Sequence, residues 1–414
     1  MADKKLKRDL GFWDVLLFGV GNIVGAGIYA IIGQAAGLSG NMLWLSFAVA
    51  AIVALLTGLS YAEFVSRFPD AGGSFEYLKQ GLGEKTAIAM SVFITLTGIV
   101  AAAAISISFA DYVSRLFDIP NTLSVVSIIV LMAFFNIIGS KYSSYYNGLA
   151  TIITLAGLIL VIAVCIPDLG NTSLFEMNEM GWTGILAGSA LIFFSYVGFE
   201  DLVKMAEETK QPRKNMPKAI LLSGLIVLVV YVLIAMVSVS VMDIDQLSSS
   251  NGPLAAVIES KLGAIGSIIL VVVALFATSK TILSNILGTS RLLFDVARDS
   301  EISWLKKFTT ISGIGNTPNY AIIAISIITL CFGLIGNLKM VASISNVFVF
   351  IVFVMVNIAL ISYRVKIRKE KDTDEDLFRI PLNVNNIPLP TLLAIVTLVL
   401  LLAFNIYNII EGKA

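Results

Sequence analysis

The chain of 414 residues has no histidine and only two cysteines. Without histidine it has no imidazole for a general base, a metal site or a proton relay. Cys165 and Cys331 both lie within apolar runs, so we interpret them as packing residues that say nothing about the redox compartment. Phosphate-binding loops, clusters of metal ligands and nucleophile–base pairs are also absent from the sequence. These absences argue against an enzyme or an ATP-driven pump, and we expect no cofactor, no bound metal and no nucleic-acid partner.

Charge is scarce too, and apolar residues take its place. Hydrophobic residues make up 57% of the chain, charged residues 14%, and the mean hydropathy is +0.91, which is well outside the range of a soluble domain. Apolar runs of spanning length predict an all-α integral membrane protein with about eleven transmembrane helices. They lie at about 12–36, 42–66, 86–114, 122–138, 145–166, 183–206, 219–241, 263–295, 319–336, 341–363 and 389–409. The first run is far longer than a signal-peptide core, so we expect a retained helix.

The distribution of positive charge predicts the orientation. Most of the 28 Lys and Arg residues fall in segments on the same side as the N-terminus, and such segments are normally cytoplasmic. We therefore predict a multi-pass protein of the cell membrane with a cytoplasmic N-terminus and an extracellular C-terminus. The charged run from Lys366 to Asp372 is interpreted as part of a solvated cytoplasmic linker before the last helix.

Two of the predicted helices are interrupted at glycine-rich segments, 21–29 and 195–201. A helix that breaks at membrane depth leaves backbone groups unpaired unless the break lines a polar cavity. Breaks in corresponding helices of two halves are typical of secondary transporters with a substrate site at the midplane. Five helices is an odd number, so the second set of five would be an inverted copy of the first. The predicted boundaries are 1–166 and 167–363 for the two repeats, 364–388 for the linker and 389–414 for the last helix.

The polarity of the two breaks suggests the kind of ligand. In the first break, freed N–H groups at the start of the second half-helix would favour a carboxylate. In the second, freed carbonyl groups would accept hydrogen bonds from an ammonium group. The pair therefore suits a zwitterion. The alternative interpretation is that these glycines only allow close packing between transmembrane helices.

Several motifs resemble those of the amino acid–polyamine–organocation superfamily. They are 19–29 (GVGNIVGAGIY), 61–64 (YAEF) followed by 69–74 (PDAGGS), 196–200 (YVGFE) followed by 206–212 (AEETKQP), and 287–291 (LGTSR) followed by 297–299 (ARD). The resemblance covers nearly the whole chain. It implies a LeuT-type fold, in which a 5+5 inverted repeat has discontinuous first and sixth helices, together with alternating access and a central amino-acid site. The chain is expected to depart from many members of the superfamily, which carry a twelfth helix, because its apolar runs predict about eleven.

The resemblance also implies roles for individual residues. It places a substrate carboxylate on the backbone of Gly25, Ala26 and Gly27, and a substrate amine near the carbonyl groups of Asn22, Ile23, Phe194, Tyr196 and Val197.

Four further positions leave alternatives open. Tyr196 and Phe199 are either aromatic lids over the site or packing residues. Glu200 stands where related exchangers carry a gating acid, and Asp201 is its neighbour. Two adjacent acids at a broken helix are costly in a membrane unless water or a cation reaches them. They either cap the second half-helix through its dipole or handle a cation or proton.

The predicted substrate is a neutral amino acid. Cationic-amino-acid members of the superfamily carry an acid on the third helix, and that position aligns with Thr97 here. The alternative within the class is a transporter or exchanger of cationic amino acids or polyamines that uses Glu200 and Asp201. An alternative of another class is a membrane amino-acid sensor that binds its ligand without transport.

Lys280 lies near the middle of the predicted eighth helix, roughly 25 Å from either end at 1.5 Å per residue. A lysine cannot reach the membrane surface over that distance, so its ammonium must meet protein, water or substrate. Burial at this depth disfavours the charged form, which suits a proton carrier. Sodium-coupled relatives bind their ion between the first and eighth helices, and some proton-coupled relatives use a fifth-helix lysine, aligned here with Thr154. Lys280, beside Thr278 and Ser279, is the candidate to fill that place.

Two alternatives for Lys280 stay open, namely a structural ion pair with Glu200 or Asp201 and direct contact with the substrate. With Lys280 as the coupling group, the sequence predicts a secondary active amino-acid permease that works by proton symport or exchange.

Overall fold

Helices account for nearly all of the described chain. The computed structural model describes residues 8–69, 73–299, 303–311, 317–367 and 377–412. Its helices are α1 (Phe12–Ile23), α2 (Gly27–Ser39), α3 (Leu43–Arg67), α4 (Ser74–Leu82), α5 (Glu84–Val113), α6 (Asn121–Ile138), α7 (Ser140–Cys165), α8 (Gly181–Ile192), α9 (Phe199–Leu202), α10 (Pro212–Val241), α11 (Ile244–Ser249), α12 (Pro253–Asp299), α13 (Asn319–Gly333), α14 (Leu338–Ile367) and α15 (Leu389–Ile410). Two short strands, β1 (Asn383–Val384) and β2 (Ile387–Pro388), form an antiparallel hairpin.

The predicted apolar runs coincide with these helices, and the all-α membrane architecture is confirmed. Within the described residues, 9 helical stretches are long and apolar enough to cross a membrane, while α1 and α13 are apolar but shorter. The count of eleven spans and the division into two repeats therefore stay predictions.

Both predicted interruptions are present. The first helix stops at Ile23 and resumes at Gly27. The second stops at Ile192, continues as the 3-10 segment Phe193–Tyr196, and resumes as α9. The discontinuous helices expected from the glycine-rich segments are thus confirmed, and both breaks lie within apolar segments.

The broken helices sit inside a bundle whose centre is built with small side chains. Helix α5 packs against α12, α14 and α13, and α3 packs against α10. The four consecutive alanines 101–104 of α5 are buried, and small residues of this kind let transmembrane helices approach closely. Large apolar side chains on α6, α7 and α13, such as Phe134, Ile152 and Ile327, are exposed on the outer surface. This distribution suits a protein whose outer surface faces lipid.

The helix called α12 is kinked at the point where the sequence predicted the eighth span to begin. Gly263 has a φ of 65°, which is the left-handed region that glycine adopts without a Cβ penalty. The residues before it form a separate helical segment. The straight part after Gly263 carries Lys280 into the centre of the protein.

The connection before α15 is more ordered than a solvated linker. Ile380 is buried, and its N–H donates to Glu63 Oε2 at 3.0 Å. Glu63 is itself buried and pairs with Arg67 and Arg364. A buried carboxylate on α3 therefore holds this connection against the bundle at Ile380, while residues 381–386 are exposed. The assignment of 364–388 as a linker stays a prediction. Most of the charged run from Lys366 to Asp372 lies outside the described residues.

Candidate functional site

A cavity of about 480 Å³ lies where the two broken helices meet. Its wall comes from both breaks and from α5, α7 and α12. It brings together most of the residues predicted to form the site, and their binding roles stay predictions. Those on the wall are Asn22, Ile23, Gly25, Ala26, Gly27, Thr97, Phe194, Val197, Glu200, Asp201 and Lys280.

Two predicted aromatic residues do not line this cavity. The Tyr196 hydroxyl donates to the carbonyl of Phe47 at 3.1 Å. The Phe199 ring packs edge-on against Tyr61, 5.5 Å away, and against Phe353. The lid interpretation of Tyr196 and Phe199 is wrong for this conformation, because both side chains are buried among other aromatic rings behind the second break.

The first break offers a backbone donor to the cavity. The N–H of Ala26 donates to Thr281 Oγ1 at 3.2 Å, and the N–H of Gly25 closes a tight turn onto the carbonyl of Ile23 at 2.7 Å. No acceptor for the N–H of Gly27 occurs among the described residues. Gly27 opens α2 and lines the cavity, so this donor and the positive end of the helix dipole lie beside the space where a ligand carboxylate would fit.

Lys280 closes the other side of the same break. Its ammonium donates to the carbonyl of Gly21 at 2.9 Å, to the carbonyl of Val24 at 3.1 Å and to Thr151 Oγ1 at 2.9 Å. The side chain is buried. The two carbonyls are among those that lose intrahelical partners where α1 ends. All three hydrogen atoms of the ammonium are therefore used, and the break is held from α12.

These contacts correct two expectations. The expected ion pair of Lys280 with Glu200 or Asp201 is wrong, because the ammonium meets carbonyl and hydroxyl oxygens instead. The hydroxyls of Thr278 and Ser279 donate to carbonyls of their own helix, at 2.7 and 2.6 Å, and not to the break. Their predicted place beside the ammonium is taken by Thr151.

The helical period of α12 indicates further cavity-lining residues that were not among the predicted site residues. Residues that follow Lys280 at spacings of one, four, five and eight lie on one face of a helix. Those residues are Thr281, Ser284, Asn285 and Gly288, and all of them line the cavity. Thr281 could have been found in this way. Thr151 could not, because its place depends on how α7 crosses α12.

The second break is built around Gly198. Its φ of 132° is open to glycine alone without strain, its N–H donates to Glu200 Oε2 at 2.7 Å, and its carbonyl accepts from Asn22 Nδ2 at 2.7 Å. Glu200 thus caps the turn before α9, which was one of its two expected roles. Asp201 instead forms an ion pair with Lys204, and both side chains are about half exposed.

The two breaks touch each other directly. A Cβ placed on Gly27 would lie 2.6 Å from the Cα of Ser195, and one placed on Gly198 would lie 2.8 Å from the carbonyl oxygen of Asn22. Glycine is required at both positions for this approach. The helix-packing role of these glycines therefore accompanies the proposed binding role and does not exclude it.

Comparison with known proteins decides the family. The family model described as amino acid permease matches residues 10–413. The chain belongs to the amino acid permease family. Its relatives include the branched-chain amino acid permease BcaP of Bacillus subtilis, which is 27% identical over 88% of this chain and 83% of the relative. Cationic amino acid transporter 5 of Arabidopsis thaliana is 29% identical over 89% of this chain and 67% of the relative. The inner membrane transport protein YbaT of Escherichia coli is 27% identical over 85% and 84%.

The α5 wall of the permease cavity is uncharged. It consists of Ile94, Thr97, Gly98, Ala101 and Ile105. The Thr97 hydroxyl donates to the carbonyl of Phe93 in its own helix at 3.0 Å, so it presents an acceptor and a methyl group but no charge. A positively charged substrate side chain would find no counter-charge on this wall.

One end of the permease cavity is lined by exposed side chains. The residues lining that end include Lys204 and Asp295, whose side chains are 54% and 55% exposed. At the opposite end, the Tyr29 hydroxyl donates to the carbonyl of Thr154 at 2.9 Å, and the Tyr112 hydroxyl donates to the carbonyl of Tyr29 at 3.0 Å. Both tyrosines are buried. The exposed end is the one predicted to be cytoplasmic.

Proposed function

We propose that this permease moves a neutral amino acid across the cell membrane by alternating access, with a proton as the coupling ion. The observation that carries the proposal is the position of Lys280, whose ammonium occupies a set of backbone and hydroxyl oxygens at the break that also lines the cavity. A carbonyl-lined position at a broken transmembrane helix is typical of coupling-ion sites in secondary transporters.

The substrate would bind between the two breaks. The free N–H of Gly27 supports carboxylate recognition, and the cavity-lining backbone around Phe194 and Val197 supports recognition of the amine. The side chain of the substrate would then face the uncharged wall around Thr97. This arrangement favours a neutral amino acid.

Lys280 supplies a physical route from protonation to conformation. An ammonium group has three N–H donors, while a neutral amine has two. Loss of the proton therefore costs at least one of the three hydrogen bonds that hold Gly21, Val24 and Thr151 together. The break would loosen when the proton leaves and tighten when it returns. Because Lys280 lines the cavity, water in the open cavity has access to the proton.

In the predicted orientation, the conformation described here is open to the cytoplasm. The other side is closed by the tyrosine pair Tyr29 and Tyr112 and by the ion pair of Arg115 with Glu259 at 2.6 Å. Alternating access then requires these contacts to open while the cavity mouth closes.

A cationic substrate is the second candidate because Glu200 and Asp201 both line the cavity. Glu200 lines the cavity, and its carboxylate is within reach of a ligand that enters between the breaks. Several relatives are named cationic amino acid transporters. In this arrangement Glu200 would have to leave the N–H of Gly198 in order to pair with the substrate.

Uptake by purified protein in liposomes tests the proposal. Radiolabelled leucine is offered under an inward proton gradient, with unlabelled neutral amino acids, arginine, lysine and putrescine as competitors. The proposal expects uptake that neutral amino acids suppress most. Best competition by arginine or putrescine would support the Glu200 alternative. Saturable binding of an amino acid without uptake of any of them would identify a sensor.

A further inference from the structure

Asn346 is a buried amide in the first third of α14, and it contacts the end of α8, where the second break begins. Its Nδ2 donates to the carbonyl of Ala190 at 2.8 Å and to the carbonyl of Leu191 at 3.2 Å. Both acceptors are carbonyl oxygens, which have no hydrogen to donate, so the nitrogen must face them and the amide has one possible orientation.

The break removes the α-helical partners of these two carbonyls, although the N–H of Phe193 also contacts the carbonyl of Leu191. In a continuous α-helix they would accept hydrogen bonds from the N–H groups of Phe194 and Ser195, four residues further on. Helix α8 ends at Ile192, and the chain tightens into a 3-10 segment. Asn346 therefore replaces from another helix the partners that α8 loses at its end.

The two residues that would supply those N–H groups in a continuous helix lie in the 3-10 segment beside the cavity. Phe194 and Ser195 both line it. The hydroxyl of Ser195 has no hydrogen-bond partner among the described residues, and neither has the amide oxygen of Asn346. The adjacent residue on α14, Ser345, donates to the carbonyl of Thr97 at 3.5 Å. One short stretch of α14 thus contacts two walls of the cavity.

We propose that Asn346 is a positioning residue that fixes where the second broken helix ends and thereby presents the backbone of Phe194 and Ser195 to the substrate. The proposal deepens the function proposed above and rests on it. Asn346 does not line the cavity, so it acts through the break and not by contact with the ligand. Without its amide nitrogen, the carbonyls of Ala190 and Leu191 would accept α-helical hydrogen bonds from the N–H groups of Phe194 and Ser195. The α-helical pattern would then extend into the binding region.

Asn357 offers a matched control on the same helix. It is also fully buried, and its Nδ2 donates to Thr57 Oγ1 at 3.2 Å and to the carbonyl of Phe353 at 2.8 Å. Its partners hold α14 against α3, and neither accepting group belongs to a break. A variant at Asn357 therefore measures what the loss of a buried amide does to stability alone.

The test compares Asn346→Leu with Asn357→Leu in full-length protein. Each variant leaves buried acceptors without a donor, so both should lower the melting temperature. Only Asn346→Leu should raise the half-saturation constant of uptake, by about tenfold, because its acceptors belong to the substrate-facing turn. Equal half-saturation constants in the two variants, at similar melting temperatures, would overturn the positioning role. If Asn346→Leu fails to fold, Asn346→Asp keeps the shape of the side chain and replaces the donating nitrogen, and the same comparison applies with Asn357→Asp.

A second measurement is independent of transport. Hydrogen exchange over residues 190–198 of the protein in detergent reports the helical pattern directly. The proposal expects slower exchange at the amides of Phe194 and Ser195 in the Asn346 variant, because they regain helical acceptors, and no such change in the Asn357 variant. Unchanged or faster exchange at these two amides overturns it. If the two variants differ in exchange as expected but the wild type takes up no amino acid, the proposed transport function is wrong, while the role of Asn346 at the break is supported.

Discussion

The two breaks face the same cavity but are held by different chemistry. In the first, the freed carbonyls of Gly21 and Val24 are bound by the ammonium of Lys280. In the second, the freed carbonyls of Ala190 and Leu191 are bound by the neutral amide of Asn346. Both satisfy the requirement that backbone groups at membrane depth find partners inside the protein. Of the two side chains only the amine of Lys280 can carry a titratable proton, so the proposed proton coupling would act on the first break.

The largest effect is expected from removing the titratable partner of the first break. Lys280→Met keeps the length of the side chain but loses three hydrogen bonds, and bonds to a charged group contribute about 1.5–3 kcal/mol each. We expect the initial rate of uptake to fall by at least about tenfold and the residual uptake to lose its response to a proton gradient.

Lys261→Met is the control for that loss. Lys261 lies on the helical segment before the kink at Gly263 and pairs with Asp168 at 2.6 Å, outside both breaks. Its variant should keep the response to the proton gradient. A well-folded Lys280→Met protein with an unchanged response would refute the role of Lys280 as proton carrier.

The second-largest effect is expected from adding a side chain between the two breaks. Gly27→Ala places a Cβ 2.6 Å from the backbone of Ser195, so the breaks must separate. Overpacking of this kind costs about 1–3 kcal/mol, which corresponds to a loss of about ten- to hundredfold in substrate affinity. Gly148→Ala is the matched control, since no atom lies within 4 Å of its added Cβ. Substrate-induced thermal stabilisation measures the affinity of both variants. Normal affinity in Gly27→Ala would show that the substrate does not bind at this junction.

The uncharged wall predicts a change in selectivity. Thr97→Asp adds an acid to the α5 wall, and opposite charges about 4 Å apart attract by about 1 kcal/mol or more. The ratio of competition by arginine to competition by leucine should rise by at least about fivefold. Thr97→Asn, which is similar in size and uncharged, should leave the ratio near that of the wild type. An unchanged ratio in Thr97→Asp would place the substrate side chain elsewhere.

The smallest effect is expected from one of the three ammonium contacts. Thr151→Val preserves the shape of the side chain and removes one acceptor from Lys280. We expect a shift in the pH dependence of uptake with only a severalfold change in the maximal rate. Thr154→Val, one turn further along α7, removes a hydroxyl that donates to the carbonyl of Ala150 at 2.7 Å. Identical pH profiles in the two variants would show that Thr151 has no role in proton coupling.

The sequence predicted the position of both breaks because glycine marks them locally. Gly27 and Gly198 stand where a Cβ would meet the opposite backbone, and a glycine-rich interruption of an apolar run is visible without any structure. Lys280 was also visible, since a lone lysine at mid-membrane depth needs a partner.

The partners themselves were harder to predict. An acid was one alternative partner for Lys280, but the ammonium contacts backbone carbonyls, which have no signature in a sequence. Thr151 and Asn346 depend on how distant helices cross, and nothing in their local sequence distinguishes them from Thr154 or Asn357. The docked segment that carries Ile380 was missed for the same reason, because its partner Glu63 lies more than three hundred residues earlier.

Sodium dependence of uptake is the most direct test of the central claim that the Lys280 ammonium takes the place of a coupling metal ion. Two unit charges about 4 Å apart repel by roughly 4 kcal/mol at an effective dielectric constant of 20, so a sodium ion cannot share this position with the ammonium. Proteoliposomes that contain the wild-type protein should therefore take up substrate at the same rate with sodium or choline outside, and faster under an inward proton gradient. Uptake that sodium stimulates, or that a proton gradient leaves unchanged, would contradict the account.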